Sequence, residues 1–332
     1  MAASMNSPWL SEGVTMETRG SVIAITKCVT SSSPSVGLPV SLRWVRQSAA
    51  VNAEMPSPPL AATVEIRPRP GWAALDLREL WAYRELLYFF VWRDLKVRYK
   101  QTAFGAAWAV AQPFLLMVVF TLFLGRVGAL NPGSTPYPLF AYSALVPWTL
   151  FSASLIGASD SLVDSANLLQ KVYFPRLLLP AAAVGSFLLD FVIAMALLAL
   201  LMLYFGVWPT VDVVWLLPLT VLAVATALAV GVWLSAINVR YRDVRYAVPF
   251  IVQLWLFASP VAYAASIVPS KWQFVFQLNP MTGVVEGFRW ALLGGSAPPV
   301  GAMLVSTVVT ALVLATGLAY FRRTERTFAD VI

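Results

Sequence analysis

The chain has 332 residues, of which 59% are hydrophobic and 12% charged, with a net charge of +7 and a mean hydropathy of +0.74. A soluble domain usually carries about twice that share of charge, so the solvent implied here is a lipid bilayer. There is no histidine and one cysteine, Cys28, which excludes a His-ligated metal, a Ser-His-Asp triad, a Cys-His pair and any disulfide within the chain.

Residues 1–62 are rich in Ser, Thr, Pro and Ala, as in SSSPSVGLP and MPSPPLAAT, and show no sustained period. They predict a disordered N-terminal extension. VIAIT is too short an apolar core, and lies too far in, for a signal peptide. Met55 stands just before the ordered part and is an alternative start to Met1.

The next region, 63–102, carries a helical pattern from Asp76 to Tyr99. Leu77, Leu80, Trp81, Tyr88, Val91, Trp92, Leu95 and Tyr99 recur at spacings of three and four, with Arg78, Glu79, Glu85, Arg93 and Lys96 mostly opposite. Its apolar core LLYFFVW is far short of the ~20 residues that span a bilayer, so the expectation is an amphipathic helix lying in the cytoplasmic interface. The alternative is a soluble helix packed on another domain.

The transmembrane domain is expected over 103–332. Up to Lys100 the chain carries Arg93, Lys96, Arg98 and Lys100 against Asp94, and after Gln101 there is no charge for twenty-four residues until Arg126. Six apolar runs follow, at 103–125, 137–158, 177–206, 213–237, 246–268 and 299–320. Each is long enough to cross a ~30 Å hydrocarbon core. The span ends on one side carry twelve cations: Arg93, Lys96, Arg98, Lys100, Lys171, Arg176, Arg240, Arg242, Arg245, Arg322, Arg323 and Arg326. The other side carries three: Arg126, Lys271 and Arg289. Positive charge stays inside, so both termini are predicted to be cytoplasmic in a multi-pass protein of the cell (inner) membrane. The same distribution accounts for the net charge without nucleic acid.

The loop after the second run reads SDSLVDSANLLQKVYFPR. Ser159 or Asp160 is expected to cap a helix that Pro175 ends, displaying Asn167, Gln170 and Lys171 as a docking surface for a soluble partner. Asp190 falls near the middle of the third run and is the one charge inside the six. A charge there costs roughly 2.5–3.5 kcal/mol, so it should face protein or water. Without a second ionisable group it suits a buried hydrogen-bond acceptor better than a proton relay.

Between the fifth and sixth runs, Asn279 before Pro280 is a helix start and Gly294 with Gly295 a stop. This helix places Glu286 and Arg289 three apart, able to pair. A re-entrant helix shielded by protein is expected, with a flat surface helix as the alternative. Trp148, Trp208, Trp215, Trp233 and Trp272 read as interfacial anchors. Trp108, Tyr142, Trp255 and Tyr263 could line a path for sugar rings.

RELLYFFVWRDLKVRYKQTAFGAAWAVAQP, NLLQKVYFPRLLLP, INVRYRDVRYAVPFIVQLWLFASPVAY, NPMTGVVEGFR and ERTFADVI occur in that order from about residue 70 to the end. Together they resemble the membrane subunit of type-2 ABC exporters for polysaccharides, the group that moves O-antigen, capsule and teichoic acid. The resemblance implies an all-α integral membrane fold with six transmembrane helices, an N-terminal interface helix and a re-entrant gate between helices five and six. It implies a homodimer around a central channel, driven by two copies of a separate ABC ATPase that holds the ATP and Mg, with no cofactor on this chain. No GxxxxGK[ST] occurs here, which agrees with that division.

Carried onto this sequence, the resemblance puts Arg93, Asp94, Lys96, Arg98, Tyr99 and Lys100 on the interface helix. There the cations would receive the pyrophosphate of a polyprenyl-linked glycan. Asn167, Gln170, Lys171, Tyr173, Phe174, Pro175 and Arg176 would couple to the ATPase. Asn279, Pro280, Glu286 and Arg289 would belong to the extracytoplasmic gate.

Two other functions compete. An exporter of another cargo (drug, peptide or lipid) would share the fold. An integral-membrane glycosyltransferase would ordinarily place an acid in its first outside loop, and RVGALNPGSTPYP has none. A transport permease without catalytic residues is therefore the expectation.

Overall fold

The apolar runs of the sequence become helices, and the computed structural model describes them over residues 81–100, 107–125, 135–295, 297–325 and 328. All of these belong to one unit, 68–332. The 1–62 extension with Met55, residues 63–80 of the interface region and the loop with Arg126 lie outside the described residues.

In chain order the helices are α1 (Arg84–Tyr99), α2 (Ala107–Phe123), α3 (Tyr137–Asp164), α4 (Ala166–Leu169), α5 (Leu178–Ser186), α6 (Leu188–Tyr204), α7 (Leu216–Arg240, entered through a 3₁₀ turn at Val211–Trp215), α8 (Val244–Phe257), α9 (Ser270–Gln277), α10 (Pro280–Leu293) and α11 (Val300–Glu325). Among the described residues there is no strand. Among the described residues four segments are long and apolar enough to cross a membrane: Tyr137–Asp164, Leu178–Tyr204, Val211–Arg240 and Val300–Glu325. α2 and α8 are apolar but shorter.

Three of the sequence runs differ from their helices for local reasons. The run 177–206 breaks at Phe187, between α5 and α6. Ser186 there accepts from Arg98 through its hydroxyl at 3.0 Å and its carbonyl at 3.4 Å. The run 246–268 is α-helical only to Phe257, with a single 3₁₀ turn beyond at Ala265–Ile267, because Pro260 follows with no N–H and restricts Ser259 before it. The run 137–158 continues to Asp164.

α3 occupies the centre. Its sequence FAYSALVPWTLF has no polar face, and such a helix is stable when surrounded by protein. Leu139, Tyr142, Leu145, Phe151 and Leu155 are all buried, and α2, α5, α6, α7, α8 and α10 pack around it. Between apolar helices in lipid, close packing and a few hydrogen bonds do the holding. Gly231 of α7 allows such an approach, since a Cβ there would lie 2.6 Å from the Ala158 Cβ of α3. Thr226 and Thr310 join α7 to α11 at 2.9 Å. The outer faces of α6, α7 and α11 expose Val192, Leu200, Leu217, Val221, Leu304 and Val308, a surface suited to lipid.

Candidate functional sites at the two ends of the bundle

α1 docks on α5 at the end where the cations gather. Phe90 is buried, with its ring edge-on to Phe174 at 5.4 Å, and Leu86, Leu87 and Val91 pack beside it. Tyr88 and Trp92, on the stripe read from the sequence, are exposed together with Phe89 and Val97. The helix is apolar on both sides, and its protein-facing side is centred on Phe90.

Arg98 donates to the Asp190 carboxylate at 2.9 Å and to the Ser186 hydroxyl at 3.0 Å. Its guanidinium lies 3.8 Å from the centre of the Phe187 ring. Tyr99 donates its hydroxyl to the other Asp190 oxygen. Asp190 therefore sits in the first turn of α6, near the middle of the apolar segment Leu178–Tyr204, and is tied to α1 rather than alone. Arg93 pairs with its neighbour Asp94 at 2.9 Å. Lys96 and Lys100 stay exposed, have no carboxylate within ion-pair distance among the described residues, and edge a groove of about 410 Å³ with Phe89, Trp92, Arg93 and Val97.

The segment 165–177 follows α3 directly. Ser159 and Asp160 lie inside α3 and cap nothing, and α4 is a single turn entered at Ser165. Asn167, Gln170, Lys171 and Tyr173 are exposed, Tyr173 by 86%. Phe174 is buried against Phe90 and Pro175 half-buried. Arg176 donates to the Glu325 carbonyl and faces the Phe328 ring at 5.8 Å. Two side chains thus anchor this segment, and four present it outward.

The pairing of Arg245 was not read from the sequence, where Arg245 counted among the inside cations and Asp160 as a candidate cap. Arg245 reaches Asp164 at 3.2 Å and Asp160 at 3.8 Å. Asn238 of α7 donates to Asp160 at 2.9 Å and to the Ser159 carbonyl at 3.0 Å. The signal was present: SDSLVD puts two carboxylates four apart on one helix face, opposite the cations of VRYRDVRY.

At the opposite end, Asn279 caps α10. Its side chain accepts from the Met281 N–H at 3.0 Å and from the Trp255 indole at 3.1 Å, and donates to the Ser259 hydroxyl at 2.8 Å. Pro280 takes the first helical position, and Gly294 ends the helix at φ 76°. Glu286 and Arg289 do not form the ion pair their spacing allows. Arg289 instead donates to the carbonyls of Pro260 (2.5 Å), Val261 (2.6 Å), Tyr263 (3.1 Å) and Phe140 (3.3 Å). The non-helical stretch after Phe257 leaves these acceptors open, and they outcompete a half-exposed carboxylate. Burial pushes the Arg289 pKa down to about 9, opposed by Glu286, so it remains a cation at neutral pH. Burial raises Glu286, with Arg289 opposing, and raises Tyr263 as well.

A groove of about 590 Å³ beside this network is lined by Trp255, Tyr263, Trp272, Phe276 and Asn279. Of the other aromatic residues, Tyr142 and Trp148 are buried in the core. Trp233 stacks on Tyr320 at 4.9 Å. Trp108, Trp208, Trp215 and Trp272 are exposed.

Comparison with known proteins gives a consistent pattern. Residues 85–293 match the ABC-2 type transporter family. The chain is 34% identical over 259 residues to the O-antigen export system permease protein RfbA of Myxococcus xanthus, covering 77% of this chain and 98% of that one. It is 24% identical over 251 residues to the RfbA permease of Klebsiella pneumoniae, covering 75% and 95%. It is 22% identical over 240 residues to the polysialic acid transport protein KpsM of Escherichia coli, covering 70% and 91%. With its apolar helices and a family match over most of its described length, the chain belongs to the ABC-2 type transporter family and is a multi-pass membrane protein.

Proposed function

We propose that this chain is the permease subunit of an ATP-driven exporter that carries a lipid-linked polysaccharide, of the O-antigen kind, out of the cytoplasm across the inner membrane. The observation that carries this reading is the likeness to O-antigen export permeases, over 77% and 75% of this chain and 98% and 95% of theirs. The outward-facing segment Asn167–Tyr173, anchored by Phe174 and Arg176, supports it as a docking surface for an ABC ATPase.

In this reading two copies of the chain enclose the path, and two ATPase subunits hold the ATP and Mg. The six crossings are α2, α3, α5 with α6, the 3₁₀ turn with α7, α8 and α11. α9 and α10 form a re-entrant gate on the outer side, and both termini are cytoplasmic, as the charge bias favours. Because Arg93 and Arg98 are engaged with Asp94 and Asp190, Lys96 and Lys100 receive the anionic headgroup of the lipid carrier.

The test is purification of the chain from its native membrane in mild detergent, followed by mass spectrometry of bound protein and lipid. A Walker-motif ATPase together with a polyprenyl-linked glycan is the expected result. An ATPase with a different cargo would move the reading to that cargo, and recovery of no ATPase under conditions that keep such complexes together would overturn it.

A further inference from the structure

Between the coupling segment and the outer hairpin, α8 is held mainly by its two ends. It is 14 residues long, and within it only Val248, Val252 and Leu256 are buried, while Tyr246, Phe250, Ile251 and Leu254 face outward. Apolar packing of that kind specifies register weakly in lipid, because lipid tails are as good a neighbour as another helix. Polar contacts in specific directions are what fix its position.

At one end Arg245 holds Asp160 and Asp164, and α4 begins two residues after Asp164. At the other end Trp255 holds Asn279 at 3.1 Å, and Arg289 of α10 gathers the Pro260, Val261 and Tyr263 carbonyls that follow α8. α3 is fixed to the same ends, through Asp164 and through Tyr137, whose hydroxyl donates to the Ala262 carbonyl at 2.8 Å. Halfway along α3, the Phe151 ring meets the ring of Trp255, at the far end of α8, edge-on at 5.2 Å. α3 and α8 with the stretch that follows it thus form one strut, from the base of the coupling segment to the cap of α10.

We propose that α8 is the element that transmits displacement of the coupling segment to the hairpin α9–α10, with Arg245 and Arg289 as the positioning residues at its two ends. The proposal rests on the exporter reading, since it needs a partner that moves the coupling segment. Arginine is required at 289 because a planar fork of five donors reaches carbonyls on two elements, which an ammonium on a single stem cannot do.

The experiment uses the full chain with its ATPase in proteoliposomes, in a Cys28→Ser background carrying Lys271→Cys on exposed α9. In the parent, ATP should change the rate at which a thiol reagent labels position 271. Arg245→Glu should leave ATP hydrolysis running but shrink that ATP-dependent change by about threefold or more, the scale on which an exposed ion-pair network operates. Adding Asp164→Arg to Arg245→Glu should restore it, which a merely damaged fold would not do. Arg289→Lys should abolish the response while hydrolysis persists. A full labelling response in Arg245→Glu, no rescue by Asp164→Arg, or no ATP response in the parent would each overturn the proposal. If the parent neither binds an ATPase nor supports hydrolysis, it is the exporter reading that falls.

Discussion

Asp190 shows what one residue needs from its neighbours. Arg98 and Tyr99 both donate to it, and all three are only part-exposed. Asp190→Ala leaves a guanidinium without its counter-charge in a low-dielectric setting, so it should lower the thermal midpoint of the detergent-purified protein, by about 1–3 kcal/mol of stability. Asp190→Asn keeps an acceptor and should lose less. Gly283 makes a second demand. A Cβ there would meet the Ala302 carbonyl and lie 2.5 Å from the Ser306 hydroxyl, whose oxygen accepts from the Gly283 N–H at 3.0 Å. Gly283→Val should separate α10 from α11 and cost about 2 kcal/mol or more, read in the same melting assay. The Asn279–Pro280 start of α10 was legible in the sequence because a cap acts over two or three residues. The partners of Arg289 were not, because they are carbonyls freed by a helix break about 30 residues away in sequence.

At the scale of elements, α1 shows where hydrophobic periodicity stops informing. The spacing of Tyr88, Val91, Trp92, Leu95 and Tyr99 gives a helix correctly, yet Phe90 is the residue that docks. A helix that is apolar on both sides gives periodicity nothing with which to rank them. Phe90→Ala should loosen α1 from α5 at a local cost of about 3 kcal/mol, seen as faster hydrogen exchange across 84–99. Tyr88→Ala, on the exposed side, should leave exchange in detergent unchanged. The breaks after Ser186 and Phe257 escaped the apolar runs for a related reason. Hydropathy averages over a break, whereas a single proline such as Pro260, or a side chain reaching in from another helix as Arg98 does at Ser186, acts at one residue.

For the whole molecule, composition alone decided the solvent, and charge asymmetry proposed the orientation. What the sequence could not supply was which cations are occupied. Arg98 and Arg245 are held by carboxylates far away in the chain, while Lys96 and Lys100 face outward. In the exporter reading, Lys96→Glu with Lys100→Glu should therefore reduce export severalfold at normal protein level, since each cation near an anionic surface contributes about 1 kcal/mol. Arg93→Glu alone should do less, as its charge is already met by Asp94. The most direct test of the central claim is deletion of this chain in its native cell, with quantification of polysaccharide at the cell surface and of lipid-linked glycan inside. Loss of surface polysaccharide, accumulation of the lipid-linked precursor on the cytoplasmic side and restoration of both by the intact chain are the results expected. Unchanged surface polysaccharide in the deletion strain would contradict the account.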